Sequence, residues 1–159
     1  MNQEQRQQPR YESVLKVLGE SGSRKLLTTP ALVCDLDLLD ANIARMAAET
    51  SSAGVALRPH VKSHKSTYVA KLQLNAGAAG LAFAKLSEAE AVVGRLRGDG
   101  YGERISVLLT SPLVGKAAAQ RALALGDHCD VMVVVDHPDA VVETSDCRER
   151  DEKEHLGAL

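Results

Sequence analysis

Apolar residues recur along this chain in two rhythms: short aliphatic runs alternate with stretches whose apolar positions fall three or four apart, the spacing of one helix face. Leu39, Ile43, Met46 and Ala47 make the first clear helical stripe, and Ser51-Ser52-Ala53-Gly54 breaks it. Val55-Ala56-Leu57 opens a strand predicted over 55–62. A helix predicted over 66–76 turns Val69, Leu72 and Ala76 inward and stops at Gly77. A strand at 80–84 leads to a helix at 88–97, buried through Ala89, Val93 and Leu96, with Ser87 and Glu90 spaced as a capping box. A strand at 104–110 precedes a helix at 114–125. Val131 to Val135 is a continuous apolar run, the signature of a strand covered on both faces. Asp136-His137-Pro138 then reads as a cap followed by proline in the first helical turn.

Before this alternation, residues 1–10 form a polar tail, and Tyr11, Val14, Leu15 and Leu18 share one face of a short helix ended by Ser21-Gly22-Ser23. Ala31–Cys34 is a strand candidate after Pro30, with Asp35 or Asp37 able to cap the helix that follows. After it, Glu143 to Leu159 holds nine charged residues and reads as a polar tail.

Strands alternating with helices at a spacing of about 25 residues predict a parallel sheet built from βαβ units. No strand is followed by G-x-G-x-x-G, and G-x-x-x-x-G-K-[ST] is absent, so a nucleotide-binding doubly wound sheet lacks its sequence support. The expected fold is α/β: a partial (β/α) TIM-type barrel with four parallel barrel strands between 55 and 135. A closed barrel needs eight strands and about 250 residues, so the pattern reads as truncated before closure. The expected organisation is a polar tail and short helix over 1–27, the barrel part over 28–142, and a polar tail over 143–159.

Composition narrows the partners. A net charge of −2 gives no electrostatic case for nucleic acid or a membrane surface, and 3% aromatic residues without tryptophan offer no base-stacking platform. Cys34, Cys129 and Cys147 have no metal-ligand spacing, and their odd number suits a reducing compartment. With no signal-peptide pattern in residues 1–10 and no apolar run long enough to span a bilayer, a cytoplasmic location is expected.

The chemistry concentrates in Leu57-Arg58-Pro59-His60-Val61-Lys62-Ser63-His64-Lys65, where a predicted strand ends. Lysine, unlike arginine, can lose its proton and attack a carbonyl carbon. This segment resembles the lysine motif of the D-threonine aldolase and D-serine dehydratase-like family, R-P-H-x-K-x-H-K, through Arg58, Pro59, His60, Lys62, His64 and Lys65. Thr29-Pro30-Ala31-Leu32-Val33-Cys34-Asp35, Gly77-Ala78-Ala79-Gly80 and Lys85-Leu86-Ser87-Glu88-Ala89-Glu90 resemble further segments of the same family, in order.

The resemblance implies an alanine-racemase-like barrel of fold type III, with pyridoxal 5'-phosphate held as a Schiff base on Lys62. The implied reactions are retro-aldol cleavage of D-threonine-like substrates or dehydration of D-serine, racemisation being the next option. His60, two residues before Lys62 and on the same face of an extended strand, is the second cofactor-binding candidate, against the role of an interior hydrogen-bonded histidine. His60 and His64 have the spacing of a helical zinc pair, but Pro59 argues against a helix there. Arg58 is either structural or a partner for a carboxylate. Asp35 is expected to cap. His137, Lys85 and Ser87 lie on the presumed rim, with capping an equal explanation for His137.

The family's divalent metal is held by a His-x-Cys or His-x-Asp pair near the C-terminus; here His155 is followed by Leu156 and Gly157, so no metal ligand is assigned. The alternative reading is a catalytically inactive half-barrel that acts only by association with another chain, whether a second copy or a complementing chain.

Overall fold

The computed structural model describes residues 29–142 together with Gly22, Lys25, Leu27 and Ser145. The predicted helix at Tyr11–Leu18 and most of the polar tail at 143–159 lie outside the described residues. The chain divides into two compact units, Met1–Leu36 and Asp37–Leu159.

In the first unit, Gly22 takes a left-handed turn that the Lys25 amide closes by donating to the Gly22 carbonyl at 3.1 Å. The strand predicted at Ala31–Cys34 does not form; these residues are irregular, with Leu32 and Val33 exposed. A strand needs a neighbour for its amides and carbonyls, and none is present among the described residues of this unit.

The second unit is built on the predicted alternation. Helix α1, Leu36–Ser52, carries Asp37 in its first turn, near the positive end of the helix dipole. Its stripe of Leu39, Ile43 and Ala47 is half-buried, Met46 is exposed, and no residue of α1 is fully buried. The helix stops where Gly54 adopts φ +65°.

Helix α2, Thr67–Asn75, is capped by Ser66, whose Oγ accepts the Val69 amide at 3.3 Å; Gly77, at φ +94°, follows its end. Strand β1, Leu81–Phe83, leads to α3, Leu86–Gly98; β2, Ile105–Leu109, leads to α4, Lys116–Gly126; and β3, Cys129–Val133, follows. The three strands are parallel in the order β1-β2-β3, with Leu81 opposite Val107 and Ile105 opposite Cys129. They form an unclosed sheet.

One side of that sheet holds the core. Leu81, Phe83, Ile105, Val107, Leu109 and Cys129 are buried against Leu86, Ala89, Val92, Val93 and Leu96 of α3 and Ala122 and Leu125 of α4. The period of two along β2 is plain: Ile105, Val107 and Leu109 are buried, while Ser106 and Leu108 between them are only half-buried.

Three local expectations are corrected. The strand predicted over 55–62 meets β1 through a single bridge, His60 to Ala82, with the Ala79 and Ala82 amides donating to the Leu57 and Pro59 carbonyls, each at 2.8 Å. Pro59 has no N–H to return to a ladder, and the chain turns at Val61. Three strands therefore make the ladder, and the first of the predicted four is this extended flank. The third strand of the ladder begins at Cys129, two residues before the predicted start, and Val134 and Val135 run on past it, exposed. The Ser87–Glu90 capping box does not form. Helix α3 starts at Leu86 with Lys85 at its cap position and no side-chain cap, and Glu90 is paired with Arg121 of α4 instead.

Candidate functional site

His60, Lys62 and Lys65 lie at the end of the sheet where the parallel strands finish, the end at which parallel sheets place their sites, while Arg58 reaches back to Ser106 near the start of β2. Val61–Ser63 forms one turn of 3₁₀ helix anchored by the buried Val61 side chain. His60 caps the turn: its Nδ1 accepts the Lys62 amide at 3.2 Å. Ser63 Oγ donates to the His60 carbonyl at 3.0 Å, and the Lys65 amide donates to the Val61 carbonyl at 2.8 Å. Lys65 itself sits at φ +50°, a left-handed conformation uncommon for a side chain of this kind. Lys62 thus stands on a tight turn just past the extended segment, not on a strand.

The two lysines of the motif are treated differently. Lys65 Nζ lies 3.4 Å from Glu88 Oε1 in the first turn of α3. Lys62 is exposed, and its amine has no hydrogen bond or ion pair among the described residues. Two histidines flank Lys62 with separate tasks. His60 Nε2 lies 3.1 Å from Thr110 Oγ1, just past the end of β2. Burial lowers the pKa of the His60 ring, the Lys62 charge lowers it further, and Glu88 opposes both. His64 Nδ1 accepts the Ser66 amide at 3.1 Å, and burial of its ring lowers its pKa against the pull of Gln73 and Ser66. The two rings therefore serve local backbone amides, and the pair does not stand on one helix face. No group of three His, Cys, Asp or Glu placed to hold a metal occurs among the described residues.

Arg58 is a structural tie. Its guanidinium donates to the Ser106 carbonyl at 3.0 Å and to Ser106 Oγ at 3.1 Å, crossing over Gly80. A Cβ at Gly80 would lie 2.1 Å from Arg58 Nη1 and 2.3 Å from the Ser106 carbonyl oxygen, so only glycine leaves room for this crossing. His137 acts as a cap: its Nδ1 accepts the Asp139 amide at 3.3 Å as the chain turns helical from 138. Lys85 stands at the cap position of α3. Thr110 and Glu88 are the site residues that sequence reasoning passed over. Thr110 had only its position at a strand end as an advance signal, and Glu88, in a helix first turn, lies in the family-like segment Lys85–Glu90 without a role assigned to it.

The family model for the alanine racemase N-terminal domain matches residues 34–157. The chain belongs to this family. The alanine racemase N-terminal domain is a TIM-like barrel, and the unclosed parallel sheet described above is part of that architecture. The chain is 53% identical over 64 residues to D-threo-3-hydroxyaspartate dehydratase from Delftia sp., a stretch covering 40% of this chain and 17% of that protein. It is 48% identical over 61 residues to D-threonine aldolase from Arthrobacter sp., covering 38% of this chain and 16% of the relative. Among solved structures, the crystal structure of D-threonine aldolase from Filomicrobium marinum superposes with a TM-score of 0.69 at 33% identity, over 77% of this chain and 31% of that one. The matched stretch thus spans less than a third of each of these three relatives. Among the described residues no helix is long and apolar enough to cross a membrane.

Proposed function

We propose that this chain supplies the lysine-bearing part of a pyridoxal-phosphate-dependent lyase acting on D-amino acids with a β-hydroxyl group. The observation that carries the reading is the state of Lys62: an exposed amine without a partner among the described residues, on a turn at the site end of a parallel sheet, beside a lysine that is already paired. The aldehyde of the cofactor needs such an amine. The relatives' names, an aldolase of D-threonine and a dehydratase of D-threo-3-hydroxyaspartate, give the substrate class.

The residues present fit one end of the cofactor. Lys62 would hold the aldehyde carbon, and His60 is a neighbouring ring whose lowered pKa favours an uncharged imidazole beside the lysine. Once bound, the cofactor supplies an electron sink for the pair of electrons left at the substrate Cα. This chain's contribution is to fix the amine by the turn, to keep Lys65 occupied with Glu88, and to hold His60 in register through Thr110. No residue is assigned to a divalent metal.

The test is chemical trapping. The chain is incubated with pyridoxal phosphate and reduced with borohydride, and the modified peptide is located by mass spectrometry beside Lys62→Ala. The expected result is modification concentrated on Lys62 and lost in the variant, with the folded state retained because Lys62 is exposed. Equal modification of several lysines, unchanged by Lys62→Ala, would overturn the reading. Assays with D-threonine and D-threo-3-hydroxyaspartate then separate Cα–Cβ cleavage from loss of the β-hydroxyl.

A second reading is favoured by one observation. Met132, Val134 and Val135, in and just past β3, are exposed. On this reading the chain acts by association with a second copy or a complementing chain. Self-association that rises with concentration, without trapping at Lys62, would support it over the first.

A further inference from the structure

The hydrogen bonds around Thr110 have a forced direction. Its hydroxyl has a single hydrogen. Thr110 Oγ1 lies 3.0 Å from the Phe83 carbonyl, which can only accept, so the hydroxyl donates there. Toward His60 Nε2, 3.1 Å away, the same oxygen can then only accept. Nε2 therefore carries the ring proton, and Nδ1 presents a lone pair. A lone pair is what the Lys62 amide requires, and that amide donates to Nδ1 at 3.2 Å. One carbonyl at the end of β1 thus sets the polarity of three successive bonds, ending on the backbone of Lys62.

We propose that Thr110 is a positioning residue for Lys62: it holds the His60 ring in the Nε2–H form with Nδ1 turned to the Lys62 amide, and so fixes the turn from which the Lys62 side chain departs. The functional half of this inference rests on the cofactor reading above; the structural half does not. The charged groups facing His60 are Lys62 from its own turn and Glu88 from α3, the latter shared with Lys65. Neither can replace the hydroxyl, because neither supplies an acceptor at Nε2 that is itself oriented by a main-chain carbonyl. Ring protonation would place a hydrogen on Nδ1, where the Lys62 amide now donates, and break the last link.

Thr110→Val removes the hydroxyl and keeps the side-chain shape. It also keeps the main-chain bond from the Thr110 amide to the Phe83 carbonyl, 2.9 Å, so the join between β1 and β2 survives. Thr110→Ser restores the hydroxyl, and Thr110→Ala repeats the deletion where a valine methyl does not fit. The full chain is used throughout. Long-range ¹H–¹⁵N spectra of the histidine rings report the proton position on His60, hydrogen exchange reports the Lys62 amide, and borohydride trapping reports the rate of pyridoxal-phosphate attachment.

In the parent chain and in Thr110→Ser, His60 is expected in the Nε2–H form, with its Nδ1 resonance shifted by an accepted hydrogen bond. In Thr110→Val and Thr110→Ala that shift is lost, Lys62 amide exchange rises about fivefold, as loss of one hydrogen bond implies, and attachment slows by a similar factor. Unchanged ring and amide signals in the valine and alanine variants would overturn the proposal. So would a changed ring with an unchanged attachment rate, or failure of serine to restore either. If the parent chain takes up no cofactor at Lys62, the cofactor reading falls, and the ring and amide measurements still decide whether Thr110 holds the turn.

Discussion

On the helix side of the sheet, Phe83, Leu81, Val107, Leu109, Ile105 and Cys129 are sealed from water by α3 and α4. On the opposite side, Ala82 is buried, Leu108 is half-buried, Ser106 is occupied by Arg58, and Asp130 and Met132 are exposed. The same strands supply both sides, so strand propensity does not distinguish them. What differs is the partner: one side has helices whose apolar stripes match it, and the other is crossed by an arginine and a glycine seam. Stability should therefore reside on the first side and tolerance on the second, with the seam between them an exception.

Four substitutions, one of them only in combination, probe that contrast. Phe83→Ala empties the largest fully buried side chain on the helix side and should cost about 3–5 kcal/mol, read as a lowered denaturant midpoint or outright loss of the cooperative transition. A smaller loss would mean that α3 closes over the space. Gly80→Ala should cost about 1–3 kcal/mol as overpacking, because its Cβ meets the Arg58 guanidinium and the Ser106 carbonyl. Combining it with Arg58→Ala should recover only part of the loss, since the carbonyl oxygen at 2.3 Å stays where it is. Met132→Ser, on the uncovered side, should change stability by no more than about 0.5 kcal/mol. A large effect there, in thermal or denaturant unfolding, would show that something covers that side in solution.

Much of the helix side was legible in the sequence. Ala89, Val93 and Leu96 repeat with helical spacing, and Gly77 marks the end of α2 by its own chemistry. Strand β2 falls within one residue of its expected limits at each end. Two of the failures depended on a partner distant in sequence, and the third on a proline and a turn within the segment itself. The run Val131–Val135 is apolar throughout, but β2 offers pairing only from Cys129 to Val133. Glu90 has capping-box spacing, but Arg121 on the next helix takes its carboxylate. The 55–62 segment has strand composition, yet Pro59 and the turn at Val61 limit it to one bridge.

The site divides in the same way. Lys62, His60, His64 and Lys65 stand out because they are adjacent in the chain. The difference between the two lysines was not legible, because Glu88 lies on another element. Thr110 was not legible either: it meets His60 across fifty positions, and threonine at a strand end carries no distinctive pattern. Arg58 left two readings open until Ser106, rather than a carboxylate, proved to be its acceptor.

The strand order has a consequence in time. Because β1, β2 and β3 lie side by side in the order in which they occur in the chain, every pairing joins neighbours separated by one helix. No strand must wait for a distant segment before it can dock. Contacts of that short sequence range form fast, and a growing chain can add each strand and helix to the edge left by the one before it as synthesis proceeds. The turn bearing Lys62 precedes all three strands, so it leaves the ribosome first. It gains its hold on Thr110, through His60, only when β2 has been laid down, which makes the fixing of this turn a late event in the assembly of this sheet.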